Sequence, residues 1–105
     1  MGGQPRIRVE IYRTPEFKTW YLDQIPKTRV VIDARLERIH VEGHFGESNR
    51  FDGLIELKWA SGLRVYTHLQ GDRMLLVLLG GNKNGQDKDI RRAKKILRAL
   101  LEGGA

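Results

Sequence analysis

Four side chains in the middle of the chain combine positive charge with the means to stack a base and move a proton. Lys58 precedes a short turn, and Arg64, Tyr66 and His68 follow it at alternate positions. Residues two apart on a strand share a face. Arg64, Tyr66 and His68 therefore point one way, and Lys58, with Glu56 two residues before it, joins them if the register follows the turn. Arginine grips a phosphate with a planar fork, and lysine adds a point charge. Tyrosine stacks a base, as single-stranded RNA is commonly read, and histidine exchanges a proton near neutral pH. The set suits an RNA phosphodiester. The plain structural alternative is a solvated sheet face with cross-strand pairs such as Glu56 with Arg64.

Other constellations carry less chemistry. Gly80-Gly81-Asn82-Lys83-Asn84-Gly85 joins a strand to a helix but lacks the Gly-Lys-Ser/Thr ending of a nucleotide-binding loop. Lys83 and the backbone N–H groups at the start of that helix still make an anion site. Arg91, Arg92, Lys94, Lys95 and Arg98 form a basic set on the final helix. Arg91, Lys94 and Lys95 are candidates for RNA contact there, and the alternative is ordinary solvated charge. His40 and His44 are four apart, but a loop break separates them and no third ligand is evident, so no metal is expected. Ser48 and Ser61 have no visible triad partners. No cofactor is implied.

The elements that must position these residues follow from periodicity. Ile7, Val9 and Ile11 alternate with Arg6, Arg8 and Glu10, which predicts a half-buried strand over Arg6 to Tyr12. Thr14, Pro15 and Glu16 open a helix by capping, by a fixed φ and by complementing the dipole. Phe17, Trp20 and Tyr21 form its apolar face. A second helix is expected from Pro26 to His40, with Ile32, Leu36 and Ile39 inward. Glu42 to Asp52 reads as a loop. Strands are expected at Leu54 to Trp59, Leu63 to Leu69 and Arg73 to Leu79. Met74 to Leu79 is apolar on both faces and should be the most buried strand. Gly80 and Gly81 are expected to end it. A last helix, Gln86 to Leu101, buries Ile90, Ala93, Leu97, Leu100 and Leu101. The order β-α-α-β-β-β-α gives an α+β fold, an antiparallel meander packed against helices, in a single domain spanning residues 1–105.

Composition bounds the class. The chain has 105 residues, with 19 Lys and Arg against 13 Asp and Glu, a net charge of +6 and a pI near 10.0. Such a balance suits an anionic partner, nucleic acid foremost. There is no cysteine, which suits a reducing cytosol. No apolar run approaches membrane-spanning length. A cytoplasmic location and no membrane partner are expected.

The C-terminal half carries a more specific pattern. Gly53-Leu54-Ile55-Glu56-Leu57-Lys58, Gly62-Leu63-Arg64-Val65-Tyr66, the apolar run Leu75 to Leu79, Gly80-Gly81-Asn82-Lys83 and Gln86-Asp87-Lys88-Asp89-Ile90 follow one another. Together they resemble the phage-related, HigB-type branch of the RelE/ParE toxins. There a Glu-Leu-Arg strand and a Gly-Tyr-Arg-Val-Tyr strand precede an apolar strand, Gly-Gly-Asp-Lys, and a helix opening Gln-x-x-Asp-Ile. The likeness covers about Asp52 to Lys95; the N-terminal half agrees in layout.

The resemblance implies the toxin of a type II toxin–antitoxin system. Its activity would be that of a metal-independent endoribonuclease, an mRNA interferase that cuts translated mRNA on the ribosome. It implies a DNA-binding antitoxin as partner. Carried over by position, Arg64, Lys58 and Lys83 are the residues that hold or protonate phosphate oxygens, with His68 as an alternative proton donor and Tyr66, Arg91, Lys94 and Lys95 as RNA contacts. Leu63 stands where the pattern has Tyr, and no tyrosine follows the last helix as in some RelE proteins. Two alternatives keep the fold: a ParE-like DNA gyrase inhibitor, and a non-catalytic RNA-binding or interaction module.

Overall fold

The structure is a computed structural model that describes residues 8–103. Arg6 and Ile7, expected at the start of the first strand, lie outside them. The elements are β1 (Glu10–Arg13), α1 (Pro15–Leu22), α2 (Pro26–Glu42), β2 (Ser48–Phe51), β3 (Leu54–Lys58), β4 (Leu63–Gln70), β5 (Met74–Asn82), a 3-10 turn (Lys83–Gly85) and α3 (Gln86–Gly103). They form one five-stranded sheet in the order β1-β5-β4-β3-β2. β1 runs parallel to β5, and every other pairing is antiparallel.

Local chemistry accounts for the helix starts. Thr14 caps α1, its Oγ1 accepting from the Phe17 N–H at 3.0 Å. The same hydroxyl donates to the Leu78 carbonyl at 3.0 Å, fastening the helix entry to β5. α2 begins at Pro26 and buries Ile32, Leu36 and Ile39, the face read from their spacing.

One expected loop is a strand. Residues 48–51 pair with β3 across a two-residue turn in which Asp52 has φ 53° and Gly53 φ 80°. Two consecutive left-handed residues are the signature of the type I′ turn, whose twist matches that of the strands it joins. Asp-Gly is its favoured dipeptide. The true order is thus β-α-α-β-β-β-β-α.

A second correction concerns the sheet's faces. α1 and α2 cover one face, over a core of Phe17, Ile32, Leu36, Ile39, Ile55, Leu57, Val65, Leu75 and Val77. The other face is not wet. α3 lies on it, packing Ala93, Ile96 and Leu97 over Leu54, Tyr66, Leu76, Leu78 and Leu79. A strand apolar on both faces requires this second cover. The α3 stripe differs in detail from expectation: Ile96 is buried, and Leu101 is 52% exposed.

The glycines at the end of β5 do not stop the strand, which continues to Asn82. A bulge precedes them: Tyr66 pairs with Leu79 and Thr67 with Val77, so Leu78 is an extra residue. Leu78 and Leu79 therefore both serve the α3 side. Beyond the bulge Gly80 meets the Trp20 ring, and Gly81 meets the Asp89 carboxylate. A Cβ at Gly80 would stand 2.2 Å from the indole, so the absent side chain is what admits Trp20.

Candidate functional site

The register brings three predicted cations to one end of the sheet. Lys58 and Arg64 are direct partners across β3 and β4, and Arg64 is in turn opposite Gly81. The missing Gly81 side chain makes room on that face for the Asp89 carboxylate, which therefore borders the cations. Lys83 follows two residues later. Its N–H donates to the Gly62 carbonyl at 2.9 Å, and its stem runs past Gly62, where a Cβ would be 3.4 Å from Lys83 Cγ and Cδ. Lys58 is half-buried and Lys83 exposed.

Arg64 is held from behind. Its side chain is 12% exposed. Nη1 donates to the Trp59 and Leu63 carbonyls at 3.1 and 2.9 Å, closing the β3–β4 turn. Nε is buried without a hydrogen bond and lies 3.9 Å from Glu56 Oε2. Nη2 takes no part in these contacts.

Glu56 is the hub behind that guanidinium, and is 1% exposed. Asn49 of β2 donates to its Oε1 at 3.3 Å, and Gln86, the first residue of α3, donates to its Oε2. One carboxylate thereby joins β2, β3, β4 and the start of α3. Neither Asn49 nor Gln86 was legible as its partner: the first sat in an expected loop, and the second belongs to a helix whose docking face the strand pattern did not reveal.

The remaining candidates separate. Tyr66 lies in the core under α3 and is 0% exposed, so it stacks no base. Its hydroxyl is near Glu56 but meets no partner at hydrogen-bonding geometry. Burial first, then the charges of Glu56 and Asp89, push its ionisation far above the ordinary tyrosine range, with Arg64 pulling the other way. His68 stands four residues beyond Arg64 on β4, ~13 Å along the strand, with the Tyr66–α3 contact between them. Its Nδ1 is 2.6 Å from the Gly53 carbonyl oxygen. A carbonyl only accepts, so Nδ1 carries the proton and donates. Lys94 is at that same end, paired with Asp52 at 2.6 Å. Arg91 and Lys95 are exposed on the outer side of α3. Among the described residues no three His, Asp or Glu side chains gather as metal ligands, and no helix is long and apolar enough to cross a membrane.

A groove of about 560 Å³ opens on the opposite face of the same sheet end, between α1, α2 and the β3–β4 turn, with Trp20 and Trp59 in its walls. The sequence put Trp20 on the apolar face of α1 and Trp59 at the end of a strand, and marked neither as part of a site.

With this geometry in view, comparison with known proteins places the chain. It is 35% identical over 99 residues to an uncharacterized protein of Haemophilus influenzae, a match covering 90% of this chain and 98% of that one. The two belong to one family. No family model matches the chain. In three dimensions it is similar to a chain of the RelBE2 toxin–antitoxin complex from Mycobacterium tuberculosis, with a TM-score of 0.57 and 11% identity. That match covers 72% of this chain and 99% of that one. The chain therefore has a RelE-like α+β fold, the fold its C-terminal motifs imply.

Proposed function

We propose that this protein is the toxin of a type II toxin–antitoxin system and cuts translated mRNA on the ribosome without a metal. The observation that carries the reading is the convergence of Lys58, Arg64 and Lys83 at one end of a RelE-like sheet. Self-cleavage of RNA needs the ribose 2′ oxygen to attack the neighbouring phosphorus. The bond from phosphorus to the 5′ oxygen breaks, leaving a 2′,3′-cyclic phosphate and a 5′ hydroxyl. Arg64 Nη2 and Lys58 neutralise the charge that builds on the non-bridging oxygens. Lys83 gives its proton to the departing 5′ oxygen, a role its position favours over the distant His68. The 2′ proton passes to water, since both oxygens of Glu56 are engaged. So sparse a site leaves alignment of the substrate to the ribosome.

A basic toxin must be silenced. The net charge of +6 suits a partner antitoxin with an acidic segment that orders as it binds.

A second reading, a non-catalytic RNA-binding module, draws on the burial of Arg64 and on the two carbonyls that hold its Nη1. Mapping mRNA 5′ ends after induction in a bacterial host separates the two. Wild type is expected to create new ends inside translated codons, and Arg64→Ala none. RNA binding without new ends or growth arrest supports the module. Arrest with intact mRNA and damaged DNA transfers the reading to gyrase inhibition.

A further inference from the structure

The chain has two tryptophans, and both line the groove beside the β3–β4 turn. Trp59 is fixed from its far side. The Arg35 guanidinium sits 4.1 Å over its ring. Arg35 in turn donates to the carbonyls of Phe45, Glu47 and Lys58 at 3.2, 3.2 and 2.9 Å. Arg35 is not part of the groove wall, so it backs the indole and leaves the rest of the ring to the groove. Trp20, wedged against Gly80, lines the same groove. Two indoles held by packing give this groove aromatic surface on which a flat ring can stack.

The rim adds polar groups of both kinds. Ser61 Oγ accepts from the Leu63 N–H at 3.3 Å, which leaves its hydroxyl proton to donate. Asn82 Oδ1 accepts from the Asn84 N–H at 2.8 Å, which leaves its amide N–H groups. Gln24 spends an N–H on the Trp20 carbonyl at 2.9 Å, which leaves its amide oxygen to accept. A planar ligand with donors and acceptors around its edge fits this inventory. The volume of about 560 Å³ falls in the range of roughly 300–1,000 Å³ usual for small-molecule sites.

The groove and the cationic site lie on opposite faces of one sheet end. Trp59 follows Lys58, Leu63 precedes Arg64, and Asn82 precedes Lys83. Neighbouring residues of a strand point to opposite faces, so the cations and the groove flank the same sheet end. A single strand that rounds the β3–β4 turn meets both, with Lys27 among the groove's lining residues to balance a phosphate.

We propose that the groove between Trp20 and Trp59 binds one nucleobase of single-stranded RNA, one or two nucleotides from the phosphate held by Lys58, Arg64 and Lys83. The assignment rests on the RNA-cleavage reading above and adds a base subsite to it.

Intrinsic fluorescence tests it, because every tryptophan of the protein is in the groove. The probes are a six-nucleotide single-stranded RNA, an abasic ribose-phosphate chain of equal length, and adenosine monophosphate. Saturable quenching by the RNA is expected, with the abasic chain at least about tenfold weaker, since stacking one base is worth roughly that factor or more. Trp59→Leu should weaken RNA binding to a similar degree, and Trp59→Phe should restore most of it. Ala60→Glu, a change at an exposed groove position, should abolish binding with an unchanged melting temperature. Equal quenching by the abasic chain overturns the base subsite. Equal affinity for the mononucleotide overturns the RNA assignment in favour of a free nucleotide. No quenching by any probe overturns the proposal and leaves the groove to a protein segment. The nuclease reading fails separately, by RNA quenching of the isolated protein with no new mRNA ends in cells.

Discussion

Lys58 and Arg64 stand directly opposite each other on adjacent antiparallel strands. Like charges in that position repel and cost stability, and only one guanidinium edge is near Glu56. A pair of cations kept together against their mutual repulsion is the arrangement expected of a site completed by an anion. Lys58→Gln should therefore raise stability by about 0.2–1 kcal/mol in chemical denaturation. It should also lower mRNA cleavage by about 100-fold, the usual scale for losing one group that stabilises developing charge. A variant equally active and no more stable would show Lys58 to be plain surface.

Glu56 should behave as the brace of Arg64. Its removal in Glu56→Ala leaves a guanidinium Nε buried without a counter-charge and frees Asn49 and Gln86. The expected loss is about 3–5 kcal/mol, the scale for breaking one side of a buried pair. A double-mutant cycle with Arg64→Ala should give a coupling of about 0.5–3 kcal/mol. Additive losses would mean that the 3.9 Å contact carries no energy of its own.

Tyr66 predicts a pH dependence. Its ionisation is raised in the folded protein by burial first, whereas the unfolded chain ionises near the ordinary value of about 10. Below that pH both states keep the proton and the contribution is whole. Above it the unfolded state loses protons that the folded state retains, so stability falls as pH rises. Tyr66→Phe should flatten this alkaline fall. The flattening should be partial, because Tyr21, whose phenol donates to Asp33 at 2.6 Å, is raised as well. Near neutral pH the same variant should lie within about 1 kcal/mol of wild type and lean toward greater stability, since it removes a buried hydroxyl with no partner. An unchanged alkaline limb in urea denaturation would count against the buried phenol.

Gly80→Ala should cost about 1–3 kcal/mol, the usual penalty of overpacking, because its Cβ would enter the Trp20 ring. The displaced indole should also shift the emission maximum. Wild-type stability with unaltered emission would mean that Trp20 moves aside freely.

The sequence made some of this legible because single elements announce themselves. Thr14 before Pro15 set the start of α1, the spacing of Ile32, Leu36 and Ile39 set the buried side of α2, and the run from Met74 marked β5 as a buried strand, which has a neighbour on either side. The meander also gave the Lys58–Arg64 pairing through the shortness of its turn. What it concealed depends on what lies above a strand. Arg64, Tyr66 and His68 alternate as a wet face does, yet α3 crosses the middle one and leaves the outer two at its margins. The apolar second side of β5, with Leu76 and Leu78, was the available hint that this face had a cover. Asp52-Gly53 was a stronger local signal than the polar residues before it, and it marked β2. The groove rests on residues 39 positions apart in the sequence, Trp20 and Trp59, which no local pattern brings together.

The pairing of β1 with β5, Glu10 beside Met74, has a consequence for how the chain is made. Translation delivers β1 first, but its neighbour in the sheet appears only after some sixty further residues have emerged, and α3, the lid on Tyr66, later still. Contacts so remote along the chain close slowly. A nascent chain on the ribosome thus holds the meander with one side bare, Lys58 and Arg64 lacking the brace that Gln86 completes. Synthesis itself therefore includes an interval in which the two cations can meet before α3 arrives to back Glu56.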